Sequence, residues 1–536
     1  MESAARGGSP ESLLDAVLAI PSGVAAFWPV LAVAGVGILA SLYFQPSRTR
    51  WAVRLRYAVG FTIAMDFIIF WLPFIVFQGA IYKQGTQQFL GPIFDKLDGS
   101  PAMRWLAKKF VYEKPKNSDY FMTQLLFLLN FIPNLAFIVY LQLTRGSLPW
   151  WALAIYYLNW VGIGSRCMGA AYFMAHKEGH SLNLYKPWIR ESLGNVFENW
   201  VGLFYGSVWN NFTTTHIALH HRLDSGQGDT LYCWDCNRAS IPDFLVYQCR
   251  GLLHMSGLGA LYQFWRHPEC CGHDRHFRTL GRGVVIYWAL LPTALFVVFK
   301  SVSFYFWVVV HPLFCMGFFL ALLNLGFHAF IENSPEGHRV QCIESIALLG
   351  GQDDFFGEND HMAHHYHTNV YWRDLTELQE KQMKEWTTKK ASVFKDIDVF
   401  TFSVFVILKA WPFLADRFVY SGDMTKAETM RLLEARATRR EAEHQHLLPA
   451  LPTPSRPRGY GPEPSPPPVE GSESYHRLLK TLGAVQLAIA AVMEQALPPV
   501  QKSWPSEAWE RRPDEPETPV KREDGSCPAE GREKGA

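Results

Sequence analysis

Apolar runs of about the length a bilayer requires, roughly 20 residues each, occur in pairs along this sequence. They are 24–44 with 57–77, 121–143 with 150–170, and 284–299 with 304–325. Two such runs joined by a polar turn make a helical hairpin, because hydrocarbon offers no partner to a backbone group outside a helix. The chain is therefore expected to be all-α, a polytopic membrane helix bundle of about six spans in three hairpins. A shorter run, 400–414, is too brief and too interrupted by proline to span, and is expected at the interface. Composition agrees, with 49% hydrophobic and 15% aromatic residues, a usage ordinary for a membrane protein. The mean hydropathy of −0.01 averages these runs with a polar C-terminal tail.

Between the hairpins lie four histidine clusters. His176-Lys177-Glu178-Gly179-His180 and His216-Ile217-Ala218-Leu219-His220-His221 share the interval after the second hairpin. Asn324-Leu325-Gly326-Phe327-His328 closes the third hairpin, and Gly357-Glu358-Asn359-Asp360-His361-Met362-Ala363-His364-His365 follows it. Whole hairpins separate the clusters, so all four are expected on one side. Lys and Arg choose the side. Lys83, Lys96, Arg104, Lys108, Lys109, Lys114 and Lys116 lie in the interval 79–120, and ten more basic residues lie between Lys177 and Arg282. By the positive-inside rule the boxes are cytosolic, although Arg48, Arg50, Arg54 and Arg56 in the first hairpin run against it. The N-terminus has Glu2, Glu11 and Asp15 and little basic charge before the first apolar run, which fits neither a cleaved signal nor a transit peptide.

His176 and His180, His216 and His220, and Asn324 and His328 are each spaced i, i+4, so on α-helices each pair projects from one face. Neutral imidazoles in this number, with few acids, suit a transition metal better than magnesium or calcium. The candidate ligands are His176, His180, His216, His220, His221, Asn324, His328, His361, His364 and His365. Nine histidines exceed one ion's capacity, so two metals are the economical count. Glu178, Glu358, Asp360 and Asp224 are placed to orient ligands, and His367 is expected to be a bystander. The remaining histidines, His254 and His311 among them, are expected mostly at the surface.

Other features exclude more than they assign. A net charge of +1 and the lack of a basic stripe with interleaved aromatics give no reason to expect a nucleic-acid partner. Nine cysteines are too few for a disulfide framework. Cys233 and Cys236 form a lone C-x-x-C, expected to be reduced thiols in a cytosolic loop.

The boxes resemble those of the membrane fatty acid desaturase and hydroxylase superfamily, over about residues 57–415. Ala175 to Ser181 is similar to the first box of lipid desaturases. Asn324 and His328 resemble the asparagine and histidine that complete the di-iron site of acyl-CoA desaturases, and Gly357-Glu358 ahead of His361 is similar to the same branch. The resemblance implies a bundle of membrane helices under a cytosolic helical cap that holds a non-haem di-iron site, with the substrate chain in an apolar tunnel. It implies two iron ions, dioxygen as co-substrate, a lipid or acyl-thioester substrate, and introduction of a double bond into an acyl chain. A site that excludes water and stray reductants suits so strong an oxidant. The second box departs from many desaturases, with three residues before His220-His221. Membrane alkane monooxygenases share that spacing, so a hydroxylase or ketolase of the same class is the alternative. Neither end carries a His-Pro-Gly-Gly haem signature or a ferredoxin-like cysteine set, so a separate cytochrome or ferredoxin is expected to donate electrons. A histidine-rich transporter or zinc hydrolase is the reading from another class. A transporter would place polar ligands within spans, and a zinc hydrolase would need three protein ligands per metal.

The expected organisation is an N-terminal segment with the first membrane helix over 1–56 and a desaturase-like catalytic domain over 57–420. A charged surface helix over 421–448, a Pro-rich linker over 449–470, and a helix with a disordered tail over 471–536 follow. The linker has nine prolines in the twenty residues 449–468 and cannot pack a core. The helix at 474–497 has an apolar side suited to core, partner or membrane, and 498–536 is polar and proline-rich. The last five residues, Arg532-Glu533-Lys534-Gly535-Ala536, resemble a dibasic retrieval signal, which favours the endoplasmic reticulum over the alternative, a plastid membrane. Asn211-Phe212-Thr213 is a formal glycosylation sequon, expected to be unused on the cytosolic side.

Overall fold

A computed structural model of the chain describes residues 50–73 and 93–440, apart from 94–95, 98, 162–167, 182, 224, 227, 267–272, 334–339, 351–355 and 369. The expected run 24–44, the Pro-rich linker and the C-terminal helix and tail lie outside the described residues, as does Asp224. Helices dominate, and two three-residue strands, β1 (Ala347–Leu349) and β2 (Val393–Lys395), pair in parallel with Ala347 opposite Val393.

Three helices are long and apolar enough to cross a membrane: Pro115–Arg145, Arg275–Phe299 and Val302–Phe327. They contain the expected runs 121–143, 284–299 and 304–325. Of the run 57–77, the described part is α1 (Arg50–Asp66) and a π turn over Phe67–Trp71. The run 150–170 appears as α2 (Trp150–Val161) and the start of α3 (Met168–His180), with 162–167 outside the described residues. The third hairpin is the clearest. Ser301 caps the returning helix and Lys300 turns the chain at φ 49°. Phe299 and Phe304 then pack at 4.2 Å, and the Tyr287 hydroxyl donates to the Val309 carbonyl at 3.2 Å. The two arms differ in role. The apolar window of Val302–Phe327 is 78% buried and that of Arg275–Phe299 only 17%, so the returning arm is the axis of the bundle and the other presents its surface outward.

Around that axis, α4 (Ile241–Met255) packs lengthwise on α5 (His311–Phe327) and on α1. A buried polar contact adds direction to the packing. His311, expected at the surface, is buried with Nε2 2.8 Å from an Asp66 carboxylate oxygen and Nδ1 2.9 Å from the Tyr157 hydroxyl. That hydroxyl donates to the Trp307 carbonyl at 2.6 Å, so it accepts from His311, and one ring ties α1, α2 and α5 together. His254, also expected outside, is buried against the Thr230 hydroxyl at 2.7 Å.

The run 400–414 turns its apolar residues inward. It forms α6 (Val399–Ile407) and a short helix, Trp411–Ala415, and Phe402, Phe405 and Val406 are fully buried beside α5. The charged helix expected near 421–448 is α7 (Lys426–Thr438), begun by a capping box of Thr425 and Glu428. Its C-terminal end is docked rather than free. Arg238, fully buried, donates to the carbonyls of Arg436 at 2.8 Å, Arg439 at 2.6 Å and Ala329 at 3.1 Å. Those carbonyls join the helix end to the residue that follows His328.

Candidate metal centre

Nine histidines converge from four segments. Among the described residues they form two groups, and within each the ligand nitrogens lie within 4.8 Å of one another. His176, His180, His216, His221 and His364 make the first, and His220, His328, His361 and His365 the second. Ring centroids of His221 and His365, one from each group, are 4.7 Å apart, so the groups adjoin.

The local winding of the chain decides the membership. His176 and His180 sit on the last turn of α3 as their spacing predicts, with Nε2 atoms 3.1 Å apart. The second box behaves differently. The segment Phe212–His221 is a π-helix, whose backbone bonds join residues five apart and whose wider turn brings such residues closer to one face than an α-helix does. His216 therefore faces His221, Nε2 to Nε2 at 2.9 Å, and His220 turns to the second group. The expected i, i+4 pairing of His216 with His220 gives way to an i, i+5 pairing, and the odd spacing of the box finds its use. The third box, on a short helix over His361–Tyr366, sends His364 one way and His361 and His365 the other.

Two close approaches hold the segments together. Gly179 lies against the π-helix, where an added Cβ would come within 2.9 Å of Phe212 Cβ. Ile346 donates its N–H to the Phe327 carbonyl at 3.1 Å and accepts from Met362 N–H at 2.9 Å. The end of α5 and the third box are thereby stitched to one residue, which sets His328 beside His361 with Nε2 atoms 3.2 Å apart.

Three rings are oriented from behind. His176 Nδ1 is 2.8 Å from Glu358, His220 Nδ1 is 2.6 Å from Asp229, and His328 Nδ1 is 2.9 Å from the Glu344 carbonyl. An Nδ1–H donated in each case leaves the Nε2 lone pair aimed into the group. Glu358 was among the expected orienting acids. Asp229 and the Glu344 carbonyl had no sequence signal, since one lies in an irregular loop and the other is backbone. Glu178 does other work: it accepts from the Tyr185 hydroxyl at 2.5 Å and from the N–H groups of Phe197 and Glu198. Asp360 accepts from Thr376 and Gln379, which fastens the third box to the helix Trp372–Thr388.

Burial favours neutral rings. It pushes His180, His216, His221, His361 and His364 well below the usual imidazole range, and neighbouring histidines push the same way. His176 is lowered too, by burial first, although Glu358 opposes. Burial would raise Glu358, but His176 and Lys177 outweigh it and hold the carboxyl at about 2. Lys177 Nζ, 2.7 Å from the same Glu358 oxygen, supplies the balancing positive charge, so His176 has no need to. Burial also lifts the Glu178 carboxyl to about 8 despite its three donors.

The fit to a metal rests on these atoms. Three pairs of imidazole nitrogens meet at 2.9–3.2 Å, and among the described residues the buried Nε2 of His364 finds no hydrogen-bond partner. Buried polar atoms without partners are rare in folded proteins. Lone pairs facing one another repel unless a proton or a cation sits between them, and a bound cation relieves several at once. The residues present suit a metal ion, with neutral nitrogen donors of the kind transition metals take.

Asn324, the tenth candidate, is held through its amide nitrogen. The Asn324 amide nitrogen donates to the Leu231 carbonyl at 3.0 Å and to the Tyr247 hydroxyl at 2.8 Å. His328, just past the end of α5 at φ −118° and ψ 33°, has left the face it would share with Asn324 on a continuing helix. His367 lies outside both groups, half-buried and 3.4 Å from the Gln382 amide. The C-x-x-C is a pair of free thiols. Cys236 donates to the Cys233 carbonyl at 2.8 Å, and burial pushes the Cys233 thiol up to about 12, so neither is primed to react. Comparisons of the chain with protein-family models, with curated proteins and with solved structures return no match.

Proposed function

We propose that this protein is a membrane-bound non-haem di-iron oxygenase that introduces a double bond into an acyl chain of a lipid. The observation that carries the reading is the division of nine histidines into adjoining groups of five and four. A zinc hydrolase uses three protein ligands and an open position, and a transporter needs ligands it can release; neither accounts for so many converging imidazoles. Two iron ions would supply the oxygen activation and electron transfer that breaking an unactivated C–H bond requires. His176, His180, His216, His221 and His364 would hold one and His220, His328, His361 and His365 the other. Glu358, Asp229 and the Glu344 carbonyl keep three rings in the ligating tautomer, and Lys177 neutralises Glu358 behind them. The surrounding helices exclude water, and the outward apolar face of Arg275–Phe299 suits an enzyme whose substrate shares its bilayer. The electrons would come from a separate cytochrome or ferredoxin, and the endoplasmic reticulum is the proposed site.

The test is a lipid profile by mass spectrometry of yeast expressing the chain beside yeast expressing His364→Ala. Products two hydrogens lighter, absent from the variant strain, are expected. Products one oxygen heavier would move the assignment to the hydroxylase or ketolase of the same class. Purified protein carrying about one zinc ion in place of two iron ions would sink the redox reading altogether.

A further inference from the structure

The outward face of the helix Arg275–Phe299 changes character along its length. On the inward side, Leu280 is buried, and a Cβ at Gly283 would fall 2.2 Å from the Trp209 carbonyl oxygen. On the other side Arg275, Arg278, Arg282, Val285, Ala289, Thr293 and Val297 are all exposed. Spacings of three and four place them on one stripe. The stripe is cationic for its first two turns and uncharged from there on.

The three arginines, with Thr279, line an open groove of about 470 Å³. Among the described residues none of the three finds an ion-pair or side-chain hydrogen-bond partner, although ion pairs are common elsewhere in the protein. Three guanidinium groups on neighbouring turns of one face repel one another, so the arrangement is at its best with an anion between them. A phosphate matches the planar fork of arginine, which binds it through two parallel N–H groups.

Depth identifies the source of the phosphate. The apolar part of the helix, 283–299, is about 25 Å long at 1.5 Å per residue, and the hydrocarbon core is about 30 Å thick. Arg282 thus marks the edge of the hydrocarbon, and Arg278 and Arg275 lie about 6 and 10 Å further out, at the level of lipid headgroups. The groove is continuous with the uncharged stripe below it, where acyl chains would lie. The third hairpin also puts this end on the same side as His328.

We propose that Arg275, Arg278 and Arg282 bind the phosphate headgroup of an anionic phospholipid from the leaflet on the side of the histidine groups. This site lies on the outer surface and does not depend on the redox reading.

The test uses the full-length protein in mild detergent, with phosphatidylglycerol and phosphatidylcholine of the same acyl chains in equal amounts. Native mass spectrometry reads the lipid retained. The wild type is expected to keep phosphatidylglycerol over phosphatidylcholine by about tenfold or more, given the attraction of each basic residue to an anionic surface. Arg275→Gln/Arg278→Gln/Arg282→Gln should bring the ratio near parity, the corresponding triple Lys variant should keep most of it, and Arg145→Gln should leave it unchanged. Equal preference in the wild type and the triple Gln protein overturns the proposal. If the triple Gln protein is not monodisperse, single Gln variants replace it, and each must lower the ratio for the site to stand. Adenosine 3′,5′-bisphosphate serves as a soluble phosphate probe. Its arginine-dependent displacement of the lipid would assign the groove to soluble phosphate esters and overturn the lipid assignment.

Discussion

Each histidine in the two groups depends on where its far nitrogen points, which makes the single residue the natural scale for the first tests. His180→Ala, His220→Ala and His364→Ala each remove a nitrogen from one of the two groups, and on the proposed function each is expected to abolish turnover and lower bound metal. His367→Ala, outside both groups, should retain most of both. Metal analysis beside activity checks this, and a severe loss in His367→Ala would mean the shell has been drawn in the wrong place. Asp229 offers a subtler probe. Asp229→Asn keeps the size of the side chain but replaces the carboxylate that holds His220 Nδ1–H at 2.6 Å. Loss of such a partner lowers metal affinity roughly 10- to 100-fold, measurable by competition with a chelator, whereas unchanged affinity would reduce Asp229 to a bystander. The histidines that gather in the two groups were legible residue by residue, since histidine boxes announce themselves by spacing. Asp229 was not, because an acid nine residues past His220 looks like any loop acid.

At the scale of the element, the contact between α3 and the π-helix controls whether the first group can form. Gly179→Ala would bring a methyl group within 2.9 Å of Phe212 Cβ, closer than carbon atoms pack, so one helix must move. Overpacking of this kind costs about 1–3 kcal/mol, and here the displacement falls between His180 and His216. The variant is expected to fold with a lowered melting temperature and to lose metal from the first group. Full loading would show that the two segments are not rigidly coupled. The same π-helix bears on the sequon at Asn211. Asn211 is buried just ahead of it, with its amide donating to the His254 carbonyl at 3.3 Å and its oxygen accepting from Thr215. A glycan has no room there. Expression in a secretory-competent cell should give no glycosidase-sensitive mass shift that Asn211→Gln abolishes, and such a shift would overturn both the packing and the expected side of the membrane.

For the molecule as a whole, burying uncharged imidazoles makes stability depend on pH. In the first group His180, His216, His221 and His364 are pushed well below the usual imidazole value of 6.5, chiefly because burial disfavours the charged form. Above about pH 6.5 both states are neutral at these rings, and folding incurs no protonation cost there. Below it the unfolded chain binds protons that the folded chain refuses, so stability falls as pH falls toward the folded values. Chelator-treated protein is therefore expected to melt at progressively lower temperature between pH 7.5 and 5.5, with metal-loaded protein releasing its metal over the same window. A melting temperature flat across that window would mean the rings are charged or solvated in the folded state.

Long apolar helices and clusters of histidine could be read from the chain alone because both are local. Hydropathy over about twenty residues decides whether a segment can sit in hydrocarbon, and histidines spaced within a turn or so decide that a metal is the economical explanation. The pairing of those ligands is not local. His216 joins His221 rather than His220 because the segment winds as a π-helix, a choice that packing against Gly179 and the neighbouring segments helps to impose and that spacing does not encode. His176 is oriented by Glu358, 182 residues away, and His328 meets His361 through the backbone of Ile346. The same holds for His311, which the chain alone suggests is a surface residue and which burial against Asp66 and Tyr157 turns into a tie between three helices. Short-range periodicity sets which side chains are available; only the approach of distant segments, decided by side-chain volume and buried hydrogen bonds, sets which of them meet.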